Sequence, residues 1–446
     1  MSAVTAQRSR RGRAPFAQRV EARAAVIAVI GLGYVGLPLA VAHTKRGFRV
    51  IGIDVDDAKV GAISAGRSYI RDVSSADVAD AVRTDRFSAF TSYAPLRNAD
   101  VIFVCVPTPC TRNKEPDTSR IAEAARGIAR HLRRGQLIIL RSTSYPGTTE
   151  ELMKPILEEN GLKVGRDIFL AFAPERVDPG RTDHTIHTTP VVLGGCDPES
   201  TRRAALVLGK VADRVVTVSS PAAAEMAKLL ENVFRNVNIA LVNQLAMLCD
   251  RMGLNVWEIV DAAATKPYGF QPFHPGPGVG GHCIPVDPYY LAWKAREFDF
   301  HMDFIELAAR VNEEMPYHVA QKALLLVNGQ HRGTAARRIL ILGVTFKRDI
   351  EDSRDSPAQK IIQLLESAGA RVSYHDPYVP TLAVNGHRYH STPLTEQTLR
   401  SADCVMIVTD HSSVDYAFVV RHARLVFDTR NATRHLPQGR EKIVRV

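Results

Sequence analysis

Residues 25–30 form an apolar run that passes without a spacer into Gly31-Leu32-Gly33-Tyr34-Val35-Gly36, and residues of helical spacing follow. Few folds satisfy this order. Gly31 must turn tightly out of a strand, Gly33 must let the backbone approach a pyrophosphate, and Gly36 must let helix and strand pack closely. The helix start then offers unpaired N–H groups and a partial positive charge to phosphates. Asp54 closes the next strand-like run, eighteen residues after Gly36. A carboxylate there accepts hydrogen bonds from ribose hydroxyls and repels a 2′-phosphate. The expected ligand is NAD rather than NADP, held by Gly31, Gly33, Tyr34, Val35, Gly36 and Asp54. Lys59 is a further contact near the adenosine, or an inert surface lysine.

The strand–helix alternation continues along the chain. Residues 49–53, 101–106, 137–141 and 168–172 read as buried strands, with helices such as 121–132 and 148–159 between them. A long helix is expected over 221–252, where Met226, Leu229, Leu230, Val233, Val237, Leu241, Leu245 and Leu248 recur at helical spacing with no breaker. A Pro/Gly-rich loop, 266–288, and a helix, 288–297, come next. From Arg337 the alternation restarts, with strands expected at 339–342, 371–375, 405–409 and 425–427. The expected class is α/β: two Rossmann-like, doubly wound parallel-sheet domains joined by a long central helix and a small helical domain. A chain of 446 residues suits two or three domains. The expected boundaries are a disordered basic tail at 1–23, a dinucleotide domain at 24–218, a central helical region at 219–330 and a second α/β domain at 331–446.

Charge and cysteine usage narrow the class. Six arginines against Glu21 give the first 23 residues a net +5, half of the chain's +10. No nucleic-acid-binding module follows this tail, so it reads as a solvated extension. The uncharged stretch 24–42 is broken by Gly31, Gly33, Gly36 and Pro38, which argues against a membrane span. No stretch fits a secretory signal. Cysteines 105, 110, 196, 249, 283 and 404 show no CxxC spacing. Neither a disulfide framework nor a metal site is expected, and a reducing, cytoplasmic setting follows.

The segment from Pro275 to Tyr290, PGPGVGGHCIPVDPYY, carries the chemistry. Its four glycines in residues 276–281 read as permitting positive φ and a close-lying ligand, not as serving packing. Cys283 precedes a helix start marked by Asp287 as N-cap and Pro288 in the first turn. A cysteine beside a helix N-terminus tends toward the thiolate. Cys283 is therefore a candidate nucleophile, whereas most other cysteines read as buried small hydrophobes. Lys228 and Asn232, four apart, share a face of the long helix. Such a lysine can equally be a snorkelling surface residue.

Together these segments resemble the UDP-glucose/GDP-mannose dehydrogenase family, the NAD-dependent nucleotide-sugar 6-dehydrogenases, from about residue 26 to 433. The resemblance implies a homodimer built on the long helix and an enzyme of polysaccharide biosynthesis whose partners are NAD and a UDP-sugar. It implies oxidation of the C6 hydroxyl of a nucleotide-linked hexose to a carboxylate, using two NAD+ and a cysteine thioester. Cys283 matches the nucleophile and Asp287 its polar partner. Lys228 and Asn232 match the groups that hold the oxyanion and a water. Thr143 matches a threonine beside the nicotinamide, and Thr108 joins it as a cofactor contact. Glu175 matches a glutamate of thioester hydrolysis that, with Arg176, also lines the substrate site. Gly280, Phe346, Lys347, Arg354 and Arg430 match the nucleotide-sugar contacts.

Two departures bear on the sugar. UDP-glucose enzymes tend to carry a second glutamate where this chain has Pro179, and an arginine where it has Pro267. The sequence PERVDPG is similar instead to the branch that oxidises UDP-N-acetylhexosamines, so UDP-GlcNAc or UDP-ManNAc is expected. UDP-glucose and dTDP- or GDP-hexoses are the alternatives. More remote are a β-hydroxyacid dehydrogenase, which leaves Cys283 unexplained, and a non-catalytic NAD or sugar-nucleotide sensor.

Overall fold

The computed structural model describes residues 14–111, 113–177, 184–281, 284–330 and 337–446. The chain divides into two compact units, Met1–Thr111 with Pro116–Leu229, and Arg112–Glu115 with Leu230–Val446. The expected central region thus clusters from Leu230 onward with the C-terminal half.

The first unit is built on eight strands: β1 Val26–Ile30, β2 Arg49–Ile53, β3 Phe87–Phe90, β4 Val101–Val104, β5 Leu137–Leu140, β6 Phe169–Phe172, β7 Val191–Gly195 and β8 Val215–Thr217. Their order is β3-β2-β1-β4-β5-β6-β7-β8, and every pairing is parallel except β6 with β7. The inner strands are apolar on both faces, as a parallel sheet covered by helices requires. Ile27 and Val29 enter one core cluster, while Ala28 and Ile30 enter the cluster on the opposite face. The strand order reverses between β1 and β4, which opens a crevice at the carboxyl ends of those strands, where Gly31 lies.

The second unit repeats the theme with β9 Arg338–Leu342, β10 Arg371–His375, β13 Cys404–Ile407, β14 Val426–Asp428 and β15 Ile443–Arg445, all parallel in the order β10-β9-β13-β14-β15. A hairpin of β11 Thr381–Val384 and β12 His387–His390 is turned by Asn385 and Gly386, both at positive φ. The helix Pro221–Met252 matches its expected bounds. A second long helix, Asp303–Gln330, carries Pro316 inside it. Among the described residues, no helix is long and apolar enough to cross a membrane.

The N-terminal segment departs from the expected disordered tail. Phe16–Glu21 is helical, with Phe16 and Val20 buried in the first core. Two apolar residues four apart give this arginine-rich stretch one face to bury. The Arg203 guanidinium lies 5.0 Å from the Phe16 ring, and Arg19 pairs with buried Asp100 at 2.9 Å. Residues 1–13 lie outside the described residues. Phe16→Ala should lower the stability of the folded chain by ~2 kcal/mol in urea unfolding, whereas a merely solvated segment predicts no change.

Candidate active site

Three glycines open the first unit's site, each for a different reason. Gly31 sits at φ 85°, and a Cβ there would lie 2.5 Å from the carbonyl oxygen of Cys105. A Cβ on Gly36 would lie 1.8 Å from the Gly31 carbonyl oxygen. These two positions are forced by the protein's own packing. Around Gly33 a Cβ would meet nothing within 4 Å, so its smallness serves approach from outside. The helix Gly36–Lys45 starts directly after this turn, with Val35 as its N-cap and Tyr34 exposed beside it. A diphosphate therefore meets an open backbone and a helix N-terminus.

The Asp54 carboxylate ties the turn to β2. It accepts the Leu32 N–H at 2.7 Å and the Asp56 N–H at 3.1 Å, with the Lys59 ammonium at 3.3 Å. Tyr69 donates its hydroxyl to the Leu32 carbonyl at 2.7 Å. Thr108 and Thr143 are half-buried in the loops after β4 and β5. All of these groups stand at the carboxyl ends of β1, β2, β4 and β5.

A buried ion pair adjoins them. Arg141, at the end of β5, donates to Glu175 Oε2 at 2.5 Å. Glu175 Oε1 accepts the N–H groups of Arg176 and Val177, both at 2.8 Å. Burial alone would raise the Glu175 pKa, but the Arg141 charge and these bonds hold it below its ordinary value. Arg141 itself is almost wholly inaccessible, and its charge helps burial push His43 down to about 3. A pocket of about 10 Å³, the size of one water molecule, lies against Arg141, Glu175, Arg176 and Thr189. Arg176 donates to the Pro190 carbonyl at 2.7 Å. Sequence reasoning took Arg141 for the end of an apolar strand. The signal it missed was a lone arginine closing a run of four aliphatic residues.

Glu225, one turn into the long helix, was also missed. It accepts the Gly147 N–H at 2.6 Å and the Thr149 N–H and hydroxyl at 3.0 and 2.7 Å. It thereby fastens the loop after Thr143 to the helix carrying Lys228, which is half-buried. Burial pushes the Glu225 pKa up to about 7 against those donors.

In the second unit, Asn232 donates its amide to the Asp287 carboxylate, and both side chains are buried. Asp287 is not the N-cap expected of it. Val286 holds that position without a side-chain bond, and Asp287 is the first residue of the helix Asp287–Ala295. Cys283 and His282 lie outside the described residues, as does Pro179.

The glycine loop also corrects an expectation. Gly278 and Gly281 do adopt positive φ, but the glycines serve packing after all. A Cβ on Gly276 would lie 2.5 Å from the Arg430 guanidinium, and one on Gly278 3.2 Å from Pro316. On Gly280 it would meet the Asp355 carbonyl at 2.6 Å and Phe346 at 2.8 Å, and on Gly281 the Phe346 ring at 2.8 Å. Thus Gly280, Phe346 and Arg430, expected as substrate contacts, border one loop. Asn243 anchors it further by accepting the Gly276 N–H at 2.9 Å. Arg430 donates to the Val408 carbonyl at 2.9 Å, and burial with nearby Arg348 pushes it down to about 10, so it remains a cation at neutral pH. Lys347 is half-buried beside Phe346, while Arg354 is exposed and bidentate on Asp352 at 2.8 and 2.6 Å.

Comparison with known proteins identifies this arrangement. Residues 25–211 match the NAD binding domain of the UDP-glucose/GDP-mannose dehydrogenase family, residues 222–314 its central domain and residues 340–435 its UDP binding domain. The chain belongs to the UDP-glucose/GDP-mannose dehydrogenase family. As a member of it, the protein is an NAD-binding oxidoreductase of nucleotide sugars. Similar relatives include a UDP-N-acetyl-D-glucosamine 6-dehydrogenase from Pseudomonas aeruginosa, 34% identical over 86% of this chain and 90% of that protein. An NDP-N-acetyl-D-galactosaminuronic acid dehydrogenase from Ralstonia nicotianae is 36% identical over 91% of this chain and 95% of that protein. The solved structure of a UDP-D-ManNAc dehydrogenase from Pyrococcus horikoshii is 31% identical, with a TM-score of 0.85, covering 94% of this chain and 98% of that one.

The three glycines separate binding from folding. Gly33→Ala should leave the thermal unfolding midpoint unchanged while raising the NAD dissociation constant about tenfold or more; Gly36→Ala should destabilise the dehydrogenase by more than ~3 kcal/mol. Equal effects of the two substitutions on stability would refute this division.

Glu225 makes stability depend on pH. Its folded value of about 7 lies above its ordinary 4.5, so its contribution is complete below the lower value and lost as pH rises through the upper one. Urea unfolding of Glu225→Gln at a series of pH values should show a slope flatter than wild type in that window, by on the order of 2 kcal/mol in total. Parallel profiles would exclude Glu225 as the titrating group.

Proposed function

We propose that the enzyme oxidises the C6 hydroxyl of a UDP-N-acetylhexosamine, UDP-GlcNAc or UDP-ManNAc, to the carboxylate through a thioester on Cys283. The observation that carries this reading is the Asn232–Asp287 pair at the helix that Cys283 precedes, in a chain whose relatives act on N-acetylated sugar nucleotides. When bound at the Gly31–Gly36 turn, NAD+ supplies the hydride acceptor, twice per sugar.

This chain's own residues divide the remaining work. Removal of one hydride and one proton turns the C6 alcohol into an aldehyde. The Cys283 thiolate adds to that carbon, giving a thiohemiacetal whose oxygen is held by Lys228 and Asn232. Loss of the second hydride leaves the acyl group on sulfur. Water then attacks the thioester carbonyl, releasing the carboxylate and the thiol. Glu175, kept anionic by Arg141, is suited to orient that water, and its lowered pKa makes it a modest proton acceptor. Thr143 and Thr108 line the cofactor side. Phe346, Lys347, Arg354 and Arg430 take the nucleotide sugar, where the cations meet its diphosphate.

The active form is proposed to be a homodimer working in the cytoplasm. The long helix exposes Leu230, Phe234, Leu241, Leu245, Leu248 and Met252, an apolar stripe of helical spacing that a second copy of the helix would cover. No disulfide joins the five described cysteines.

A panel of sugar nucleotides assayed for NADH release tests the reaction. Two NADH per UDP-N-acetylhexosamine, with UDP-glucose turned over at least ~10-fold less efficiently, is the expected result. One NADH per sugar with accumulating aldehyde would sink the thioester route. Cys283→Ser should lower kcat by about a thousandfold or more while the protein still binds NAD. For the dimer, Leu241→Glu with Leu245→Glu should halve the mass measured by light scattering; an unchanged mass would rule this stripe out as the contact.

A further inference from the structure

The second unit repeats the wiring of the first around its opening glycine. In the first sheet Ile30 pairs with Ile53 and Val104; in the second, Leu342 pairs with His375 and Ile407. Gly31 and Gly343 therefore occupy the same place after the central strand, at φ 85° and 79°. Asp54 and Asp376 likewise correspond. Asp54 Oδ2 accepts the Leu32 N–H at 2.7 Å, and Asp376 Oδ2 accepts the Val344 N–H at 2.7 Å. Thr108 and His411 each lie four residues beyond the paired end of the neighbouring strand.

What surrounds the two carboxylates differs. Asp376 is wholly buried, and its Oδ1 takes the N–H groups of Tyr378 and Val379 at 2.8 and 3.1 Å. Its Oδ2, besides Val344, takes Nε2 of the equally buried His411 at 3.0 Å. A carboxylate has about four lone-pair sites, and here all four are filled. It has no capacity left for ribose hydroxyls, so a nucleotide on this unit is gripped by other groups. His411 Nδ1 accepts the Asp349 N–H at 3.0 Å, which puts the ring proton on Nε2. The Thr345 hydroxyl lies 3.3 Å from Nε2 and donates to the Lys347 carbonyl at 2.7 Å. Asp349 Oδ1 accepts the Ser412 N–H at 2.9 Å and the Tyr378 hydroxyl at 3.3 Å. The imidazole thus fastens the Asp349 end of the segment 343–349 directly and supports its Val344 end through Asp376, and Phe346 and Lys347 lie between those ends.

We propose that His411 is a positioning residue for nucleotide-sugar binding, which converts the ribose-acceptor carboxylate of a dinucleotide fold into a sealed latch that holds Phe346 and Lys347 in place. The inference rests on the reading above that these two residues contact the nucleotide sugar.

Full-length His411→Ala and His411→Gln proteins test it, with UDP as calorimetric probe and NADH release as the kinetic readout. His411→Gln can keep the bond to Asp376 but leaves the Asp349 N–H unpaired, so it should fall between wild type and His411→Ala. The UDP dissociation constant and the KM for the sugar nucleotide should rise about tenfold in His411→Ala. The kcat at saturation should stay within about twofold, and the KM for NAD should not move. Should neither protein fold, Thr345→Val removes the hydroxyl's bond to the Lys347 carbonyl and its 3.3 Å contact with His411 Nε2, and should weaken UDP binding about threefold. Unchanged UDP affinity in a folded variant, or a KM for NAD rising in step, overturns the latch. Wild-type protein that binds no UDP at all overturns the substrate reading itself.

Discussion

A backbone N–H left over at the end of a strand, and the carboxylate that takes it, organise this enzyme. Where β1 ends, left-handed Gly31 turns the chain so that the Leu32 N–H points at Asp54 on the neighbouring strand. That bond fixes the angle at which the chain re-enters as a helix, and the helix direction decides where free N–H groups face. The phosphate-facing helix start follows from it. The same bond recurs in the second unit between Val344 and Asp376, so one local solution serves both halves of the chain.

Charge inside the molecule is managed by saturation. Arg141 and Glu175 are tolerable where they lie because each has the other, with two further N–H groups on the carboxylate. Removing one partner of such a pair costs about 3–5 kcal/mol, so the pair is stiff as well as charged. Asn232 and Asp287 make a second such contact, and Glu225 with Gly147 and Thr149 a third. Each ties a loop at a strand's carboxyl end, or the start of a helix, to a neighbouring element. Loops alone lack the packing to hold a side chain in position, and these bonds supply it.

Much of the architecture was legible in the chain. Most inner strands of both sheets announce themselves as short aliphatic runs because both faces are covered; β7, whose aliphatic run Val191–Leu193 stops at two glycines, does not. What escaped notice was short, peripheral or interrupted. β3, β8 and β15 are edge strands, and their few residues carry weak patterns. The helix Asp303–Gln330 was hidden by Pro316, although proline inside a helix is tolerated when neighbours take up the freed groups. The hairpin at Asn385-Gly386 did carry a turn signal, since that dipeptide favours the left-handed residues a two-residue loop needs. The helix at Phe16 was masked by the arginines around its two apolar residues.

The site divides along the same line. The Gly31–Gly36 turn and Asp54 could be named from residue type and spacing, because left-handed turns and close backbone approach are local demands that the chain states by itself; Asn232 and Asp287 were named by the family resemblance, and the N-cap role that spacing gave Asp287 falls to Val286. Burial is not local. Whether Arg141 ends a strand in solvent or in the core, whether Glu225 is a surface acid or a clamp, and whether Asp376 faces a ribose or a histidine all depend on residues tens of positions away. The glycine loop shows both sides at once: its positive φ angles were foreseeable, but the need for it to lie against Phe346, Pro316 and Arg430 arose only when distant segments came within contact distance.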